Sequence, residues 1–393
     1  MVSKEIAENL KGGSMIRKMF EEGNRLRALY GEEHVYDFSL GNPDGEPPAE
    51  TLQAIQELAA QPDIHKYMAN AGYEDVRATM AEYEAHRAGV PVEGKHVVMT
   101  VGAAGGLNCV LKALLDPGDE VIVLAPFFVE YTFYIKNYRG VAVIVPVNPA
   151  TFQPDADAIR KAITPRTRAI IMNSPNNPTG AVYTREALEA VRDALTEGEK
   201  AHNLQSPICV ISDEPYSKLV YEGDAVPVMS IFDHAIVVNS FSKSLALPGE
   251  RIGYAAVSPR CQDADEIVAG IIFANRTLGF VNAPGIMQRA VARSLQAKVD
   301  VEEYRWRRDR LHQILIQSGF TCNLPQGAFY LFPQTPIADD KRFSDEAAKL
   351  NLLLVPGSGF YGPGHVRLAY CVSRQVIERS EEAFHKLGKQ FFG

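Results

Sequence analysis

The middle of the chain alternates short apolar runs with segments whose apolar residues recur at helical spacing. The apolar runs are rich in Val and Ile, which predicts strands buried on both faces. These runs are His96–Val101, Glu120–Leu124, Val141–Val145, Ala169–Met172, Ile208–Ser212, Ala235–Asn239 and Gly253–Val257. Helical patterns lie between most of them, for example over 107–115, 155–163 and 185–201. The alternation predicts an α/β fold with a mostly parallel sheet covered by helices.

The two ends of the chain lack the regular alternation of strands and helices, and we expect them to pack together as a smaller α+β domain. The elements expected there are an amphipathic helix at Met15–Tyr30, a charged helix at about Val299–Ser318, strands at Ala328–Phe332 and Val366–Tyr370, and a terminal helix. We therefore predict a large domain over residues 45–285 and a small domain made of residues 1–44 and 286–393.

Composition excludes several classes of protein. Lys plus Arg is 40 and Asp plus Glu is 48, a net charge of −8 that argues against bulk attraction to nucleic acid or an anionic membrane. The longest apolar runs are too short to span a bilayer. The five cysteines are scattered without a C-x-x-C spacing, so we expect reduced thiols and no metal site. With a charged N-terminus in place of a signal peptide, these features predict a cytoplasmic protein.

The segment Ser240-Phe-Ser-Lys-Ser-Leu-Ala-Leu-Pro-Gly-Glu-Arg-Ile-Gly-Tyr254 carries the most informative chemistry. A lysine amine forms Schiff bases with carbonyls once its charge is suppressed. Hydroxyls and an arginine close by are what a phosphate monoester needs. The loop therefore suits a molecule with both an aldehyde and a phosphate, such as pyridoxal 5′-phosphate. The alternative is a solvated surface lysine, but Lys243 follows a buried strand, where burial lowers an amine's pKa.

Other unusual residues also follow predicted strands, where ligands bind in open α/β sheets. Gly102-Ala-Ala-Gly-Gly106 opens a helix whose amides suit an anion, or it only allows tight packing. A nicotinamide site would need an acidic residue after the next strand. That strand ends instead in Ala125-Pro-Phe-Phe128, whose rings suit stacking on a flat heterocycle or plain core packing.

Three polar residues in or beside the predicted strands each allow two interpretations, one structural and one functional. Asn177 lies in a dense Asn/Pro/Gly turn and has an amide that can meet a ligand oxygen. Asp213 ends a strand, where it suits a protonated pyridine nitrogen or caps a helix. Arg367 lies in an apolar strand and needs an anion, which is either a ligand carboxylate or an internal Asp or Glu.

Taken together, the motifs resemble those of class I/II aminotransferases, the aspartate-aminotransferase-like branch of fold type I pyridoxal-phosphate enzymes. The likeness runs from Leu40-Gly-Asn-Pro-Asp44 to His365-Val-Arg-Leu-Ala-Tyr370 and includes Asn-Asn-Pro-Thr-Gly, Asp-Glu-Pro-Tyr and Ser-Phe-Ser-Lys. It implies a three-layer cofactor domain and a homodimer. It also implies a ping-pong Schiff-base transfer of an amino group between an L-amino acid and a 2-oxo acid.

The resemblance also implies a role for individual residues. The expected catalytic group comprises Lys243 as the Schiff-base lysine, Asp213 at the pyridine nitrogen, and Tyr216, with Asn177, at the phenolic oxygen. The remaining expected cofactor contacts are stacking by Phe128 and a phosphate cradle of Ser240, Ser242, Arg251 and the amides of Ala103 and Ala104. The expected substrate contacts are Arg367 on the α-carboxylate, Asn177, and Gly41 in a loop that closes over it. Tyr67 is expected to reach the phosphate of the neighbouring subunit.

The sequence departs from relatives at two places and leaves alternatives open. Many relatives have a hydroxyl or lysine where Ala103 and Ala104 stand, and Phe128 replaces Trp or Tyr. A pyridoxal-phosphate lyase or decarboxylase would use nearly the same residues, and a non-catalytic binding protein is a reading from another class. Arg276 meets a distal carboxylate or is solvated. Three tyrosines either favour aromatic substrates or belong to the core: Tyr36, Tyr131 and Tyr330.

Overall fold

The computed structural model describes residues 2–11 and 15–393. Its α-helices are α1 Lys4–Lys11, α2 Met15–Tyr30, α3 Ala49–Ala59, α4 Glu74–Ala88, α5 Gly102–Leu114, α6 Glu130–Asn137, α7 Ala156–Ala162, α8 Arg185–His202, α9 Phe241–Ser244, α10 Ala264–Thr277, α11 Gly285–Arg293, α12 Val301–Gln317, α13 Asp340–Ala348 and α14 Arg374–Phe392. Its strands are β1 Tyr36–Asp37, β2 Val97–Thr100, β3 Glu120–Ala125, β4 Val141–Pro146, β5 Thr167–Asn173, β6 Cys209–Asp213, β7 Ala235–Ser240, β8 Gly253–Val257, β9 Tyr330–Leu331, β10 Leu352–Leu353, β11 Val355–Pro356 and β12 Val366–Ala369.

Seven strands form one sheet in the order β2-β8-β7-β6-β5-β3-β4. Neighbouring strands are parallel except at β8, which runs antiparallel to both β2 and β7. The prediction of a mostly parallel sheet is confirmed, and each predicted strand is present to within a residue or two. Because β8 is reversed, its first residue lies at the same edge as the carboxyl ends of its neighbours. The loops that follow the other six strands and the loop that precedes β8 therefore meet at one edge.

Both faces of this sheet are buried except at the edge strand β4, where Val141 and Ile144 are 48% and 37% exposed, so the expectation of burial on both faces is wrong for that strand. Along β5, Ile170 and Met172 belong to one apolar cluster, whereas Ala169 and Ile171 belong to a second cluster on the opposite face. Successive strand residues point to opposite sides, so this division requires helices on both faces. Helix α5 packs with α10 against β7 and β8 on one side. The result is the three-layer α/β arrangement that continuously apolar strands predict.

The chain ends build a second core around two small sheets. One is antiparallel with the order β11-β12-β9, and the other is the parallel pair β1-β10. Helix α2 joins this region because Arg27 donates to Asp37 at 2.7 Å. Strand β9 is shorter than the predicted Ala328–Phe332, since Ala328 has a φ of 55°, outside the extended region. The domain boundaries at residues 45 and 285 stay a prediction.

A buried ion network supports the end of β6. Arg87 of α4 contacts Glu84 at 2.9 Å and Glu214 at 2.8 Å, and both carboxylates are almost fully buried. Tyr254 donates to Glu84 and Ser212 donates to Glu214, which satisfies further lone pairs. A buried charge is tolerated only when it is paired and hydrogen-bonded in this way. The network fixes the residue that follows Asp213.

No helix within residues 2–11 and 15–393 has the length and apolarity needed to cross a bilayer. The five cysteines are all unpaired, and Cys322 is the one that is not fully buried.

Candidate active site

The polar residues that follow the strands surround one cavity of about 280 Å³ at the loop-bearing edge of the sheet. Every predicted site residue except Tyr67 lines it. Six further residues contribute that the sequence did not assign to the cofactor site: Leu107, Tyr131, Asn173, Pro215, Pro248 and Tyr330. The elements that deliver these side chains come from both the large sheet and the small sheets, so the cavity lies where the two meet.

Lys243 extends into the cavity from α9, a single turn that directly follows β7. Its Nζ donates to the carbonyl oxygen of Gly41 at 2.5 Å and lies 5.5 Å from the centre of the Phe329 ring. The pKa of Lys243 is lowered to about 8, chiefly by burial and to a smaller extent by the cations of Arg367 and Arg251, while Cys371 opposes the shift. A substantial neutral fraction of this amine is therefore present near neutral pH, as nucleophilic attack requires.

Asp213 ends β6 and is 6% exposed. The Tyr131 hydroxyl donates to its Oδ2 at 2.5 Å, and among the described residues its Oδ1 has no hydrogen-bond partner. Burial raises the pKa of Asp213 to about 7; the Tyr131 hydrogen bond opposes the shift and Glu214 adds to it. A buried unpaired oxygen is costly. A protonated ring nitrogen placed there would supply the missing donor and favour the ionised carboxylate.

The residues expected around a phosphate converge at the start of α5. Arg251 Nη1 lies 3.4 Å from the Ser242 hydroxyl and donates to the Pro248 carbonyl at 2.9 Å. The guanidinium also packs on Gly102, where an added Cβ would lie 2.6 Å from Nη2. Gly102 adopts a positive φ of 67°, so both its conformation and its neighbour require glycine. A helix N-terminus, a hydroxyl and a guanidinium are the kinds of donor that suit an anion.

Arg367 is held in β12 and is 2% exposed. Its Nη1 donates to Asn177 Oδ1 at 3.2 Å and its Nη2 to the Ser39 carbonyl at 2.5 Å, while Nε has no partner among the described residues. The guanidinium lies 4.8 Å from the Tyr330 ring centre. Burial lowers its pKa. No Asp or Glu of the described residues forms an ion pair with it, and a ligand carboxylate would supply the anion that a buried guanidinium needs.

Tyr67 lies outside this cavity and is 94% exposed. A role on a neighbouring subunit stays a prediction. Tyr131, Tyr330 and Asn173 were not predicted as site residues, because their hydrogen bonds to site residues belong to no sequence motif. The Tyr131 hydroxyl meets Asp213, and the Tyr216 and Tyr330 hydroxyls are 2.8 Å apart. Asn173 Nδ2 donates to the Asp213 carbonyl at 2.8 Å, and its position in the predicted turn cluster was the one available signal.

Comparison with known proteins decides the family. Residues 33–384 match the family described as aminotransferase class I and II. The chain belongs to this family.

Relatives and solved structures cover nearly the whole aminotransferase chain. It is 35% identical over 357 residues to the aspartate/prephenate aminotransferase of Thermus thermophilus, covering 89% of this chain and 90% of the relative. It is 34% identical over 387 residues to the aspartate aminotransferase of Geobacillus stearothermophilus, covering 93% and 94%. A crystal structure of an aminotransferase from Eubacterium rectale superposes with a TM-score of 0.95 at 38% identity, covering all of both chains.

These similarities confirm the sequence-based expectations about fold and activity. The aminotransferase transfers an amino group between an amino acid and a 2-oxo acid. Its α/β architecture is that of the fold type I aminotransferases. The lyase alternative is not favoured, and the reading as a non-catalytic binding protein is set aside because the chain belongs to a family of enzymes.

The buried carboxylate predicts a specific pH dependence of stability. In protein freed of small molecules, Asp213→Asn should stabilise the fold at pH 8 by roughly 1–4 kcal/mol, because no carboxylate must ionise in a buried place. The raised pKa means that the unfolded state ionises first as the pH rises. The advantage should therefore be absent below about pH 4, grow up to about pH 7 and then level off.

Thermal unfolding at a series of pH values measures this difference. The matched control is Asp224→Asn, because that aspartate is exposed. Parallel pH profiles for the Asp213 variant and the parent protein would contradict the inferred cost of burial.

Proposed function

We propose that this aminotransferase uses pyridoxal 5′-phosphate and binds amino acids through Arg367. One observation carries the proposal. The cavity holds three cations, Lys243, Arg251 and Arg367, and none of them forms an ion pair within the described residues. A protein of net charge −8 thus has a positively charged pocket with Asp213 as its one lining carboxylate. Such a pocket suits a phosphate and a carboxylate held side by side.

The lining residues fit the cofactor group by group. Asp213 Oδ1 would accept from the ring nitrogen, and Phe128 would cover the ring face. Asn177 and Tyr216 would hold the phenolic oxygen. The phosphate would lie among Ser240, Ser242, Arg251 and the first amides of α5, at Ala103 and Ala104. When bound, pyridoxal phosphate supplies an aldehyde that condenses with amines and a ring that withdraws electrons from the substrate Cα.

The protein's own part in the reaction is proton transfer and orientation. Lys243 Nζ, with a pKa near 8, accepts a proton at the substrate Cα and delivers it again on the same side of the cavity. At the opposite end of the site, the Asp213 carboxylate would keep the ring nitrogen of the cofactor protonated. The burial of Asp213 excludes water from this contact. Arg367 fixes the carboxylate, so that one bond to Cα is presented to the lysine.

Substrates are L-amino acids and 2-oxo acids that share the α-carboxylate. The names of the relatives make aspartate with 2-oxoglutarate the first pair to test. One similar structure is an aspartate aminotransferase with maleate. Arg276 is exposed and does not line the cavity, so its contact with a distal carboxylate stays a prediction. A cytoplasmic location, which the unpaired cysteines favour, is also a prediction.

A homodimer forms part of the proposal, and an exposed apolar patch supports it. We group in this patch Tyr67, Phe273 and Val281, which are 94%, 58% and 37% exposed. The segments that carry Tyr67 and Phe273 are joined because Asn275 donates to the Asn70 carbonyl at 3.1 Å. Asn70 donates to the Val281 carbonyl at 3.0 Å, which ties the two loops together. Phe280 packs beside Gly105, so the patch borders the phosphate cradle. Exposed apolar patches of this kind mark interfaces, and Tyr67 of one copy would there approach the cradle of the other.

Replacing the lysine should abolish transfer. We expect Lys243→Ala to lower turnover at least 10²–10⁴-fold, the usual contribution of general acid–base catalysis, while pyridoxal phosphate still binds through the other contacts. Product formation from aspartate and 2-oxoglutarate measures the loss, and equilibrium dialysis measures the retained cofactor.

The matched control for this variant is Lys341→Ala, because Lys341 is an exposed lysine of α13. The wild-type protein reduced with borohydride and digested should yield a pyridoxyl-tagged peptide that contains Lys243. Wild-type turnover in Lys243→Ala, or a tag on another lysine, would refute the assignment.

Shortening the carboxylate clamp should weaken substrate binding. We expect Arg367→Lys to raise the KM for amino acids and 2-oxo acids about 10- to 100-fold, because a lysine cannot form the paired hydrogen bonds of a guanidinium. The value of kcat should change less. Arg374→Lys, at an exposed position of α14, is the control. Unaltered affinity for every α-carboxylate ligand would contradict the role given to Arg367.

The shared site predicts complementation between two inactive chains. Random mixing of Lys243→Ala and Tyr67→Ala chains should give about a quarter of wild-type activity, since half of the dimers carry one complete site. Sedimentation should show twice the chain mass of 43.2 kDa. If Tyr67 served its own chain, the mixture would be no more active than the separate variants.

A further inference from the structure

Two tyrosines meet in the cavity, and the proposed function uses one of them. The Tyr216 and Tyr330 hydroxyl oxygens are 2.8 Å apart, and both side chains are buried. Within the described residues, neither hydroxyl has another hydrogen-bond partner. Each hydroxyl carries one hydrogen, and the pair uses one of the two. The direction of that single bond decides which tyrosine has a hydrogen free for a ligand.

The surroundings of Tyr330 favour it as the donor. Its ring lies 4.8 Å from the Arg367 guanidinium, and a nearby cation makes an O–H a better donor. Burial raises the pKa of Tyr330 to about 12, and Arg367 opposes that shift. Burial raises the pKa of Tyr216 well above its ordinary value, Tyr330 and Asp213 add to the shift, and Arg367 opposes it. The ring contact between Tyr330 and the Arg367 guanidinium is therefore the observation that favours Tyr330 as the donor.

The position of Tyr330 is fixed by close packing. Its hydroxyl oxygen lies against Gly41, where an added Cβ would be 2.3 Å away. The carbonyl of the same glycine accepts the Lys243 hydrogen bond. In the register of the small sheet, Tyr330 of β9 lies opposite Ala369 of β12, the strand that carries Arg367. Tyr330 thus contacts the lysine's acceptor, the carboxylate clamp and Tyr216.

We propose that Tyr330 is a positioning residue whose hydroxyl donates to Tyr216 and so directs the one hydrogen of Tyr216 into the cavity. The inference rests on the proposed function, in which Tyr216 serves the phenolic oxygen of the cofactor. Donation from Tyr330 also polarises the Tyr216 hydroxyl, since hydrogen bonds in a chain strengthen one another. The Tyr330 ring has a separate role as the surface on which Arg367 packs.

Removing the Tyr330 hydroxyl alone tests the chain of hydrogen bonds. The visible absorption of the protein loaded with pyridoxal phosphate is titrated with pH in the wild type and in Tyr330→Phe. Weaker donation to a negatively charged oxygen makes the cofactor retain its proton to higher pH, so the midpoint should rise by about half a unit. The other titratable groups beside the pair include Asp213, Tyr131, Arg367 and Cys371, and the substitution leaves all four in place.

The second apolar core offers a matched control. The hydroxyl oxygens of Tyr221 and Tyr370 form a second buried pair, 2.9 Å apart, outside the cavity. Tyr370→Phe should leave the midpoint unchanged, although it removes a comparable buried hydroxyl. A midpoint in Tyr330→Phe equal to that of the wild type, or an equal rise in Tyr370→Phe, would overturn the proposal.

Two further variants separate the roles of the hydroxyl and the ring. Because Tyr330 acts through Tyr216, the double variant Tyr216→Phe/Tyr330→Phe should titrate like Tyr216→Phe alone, and additive shifts would overturn the proposal. Tyr330→Phe should lower kcat with little change in KM for α-carboxylates, whereas Tyr330→Leu should also raise KM. A wild-type protein that shows no visible band with pyridoxal phosphate would refute the proposed function, and the role of Tyr330 with it.

Discussion

The buried carboxylate of Asp213 is the constraint on which the rest of the site depends. Placing a carboxylate at the end of a central strand costs free energy unless its oxygens are satisfied. Tyr131 satisfies one oxygen, and Asn173 holds the backbone in place through the Asp213 carbonyl. The Arg87 network fixes the next residue. Several buried polar groups thus keep one acceptor free, as the proposed contact of this carboxylate with a positively charged nitrogen would require.

The three cations that line the cavity are hydrogen-bonded to neutral groups and not to carboxylates. Lys243, Arg251 and Arg367 are each held by neutral acceptors: the carbonyls of Gly41, Pro248 and Ser39. Neutral acceptors orient a cation without cancelling its charge, so the field in the cavity stays positive. Burial is the main cause of the lowered pKa of the lysine, and the two arginines add to the shift. The same positive field would attract the anionic groups of the proposed ligands.

Sequence patterning predicts the large sheet well because all of its strands except the edge strand β4 are buried on both faces and read as continuous runs of apolar residues. The short strands of the small sheets are harder to predict. Ala328 is apolar and was expected in a strand, but its φ of 55° is not extended, and the strand begins only at Tyr330. Motifs announce Lys243 and Asp213, because their types and places are fixed by the chemistry. The Tyr131 and Tyr330 contacts escape prediction, since a buried tyrosine has the same apolar signature whether its hydroxyl meets a carboxylate or packs in a core.

The tether between Lys243 and Gly41 joins residues 202 positions apart, and Arg367 enters the cavity from near the end of the chain. Contacts of such long range form late, because each must close a large loop of chain. During synthesis the lysine emerges well before the arginine that completes its surroundings. Until the last strand docks, this amine is hydrated and protonated like any other lysine. The lowered pKa of this amine is therefore a property of the finished fold, which the growing chain does not yet have.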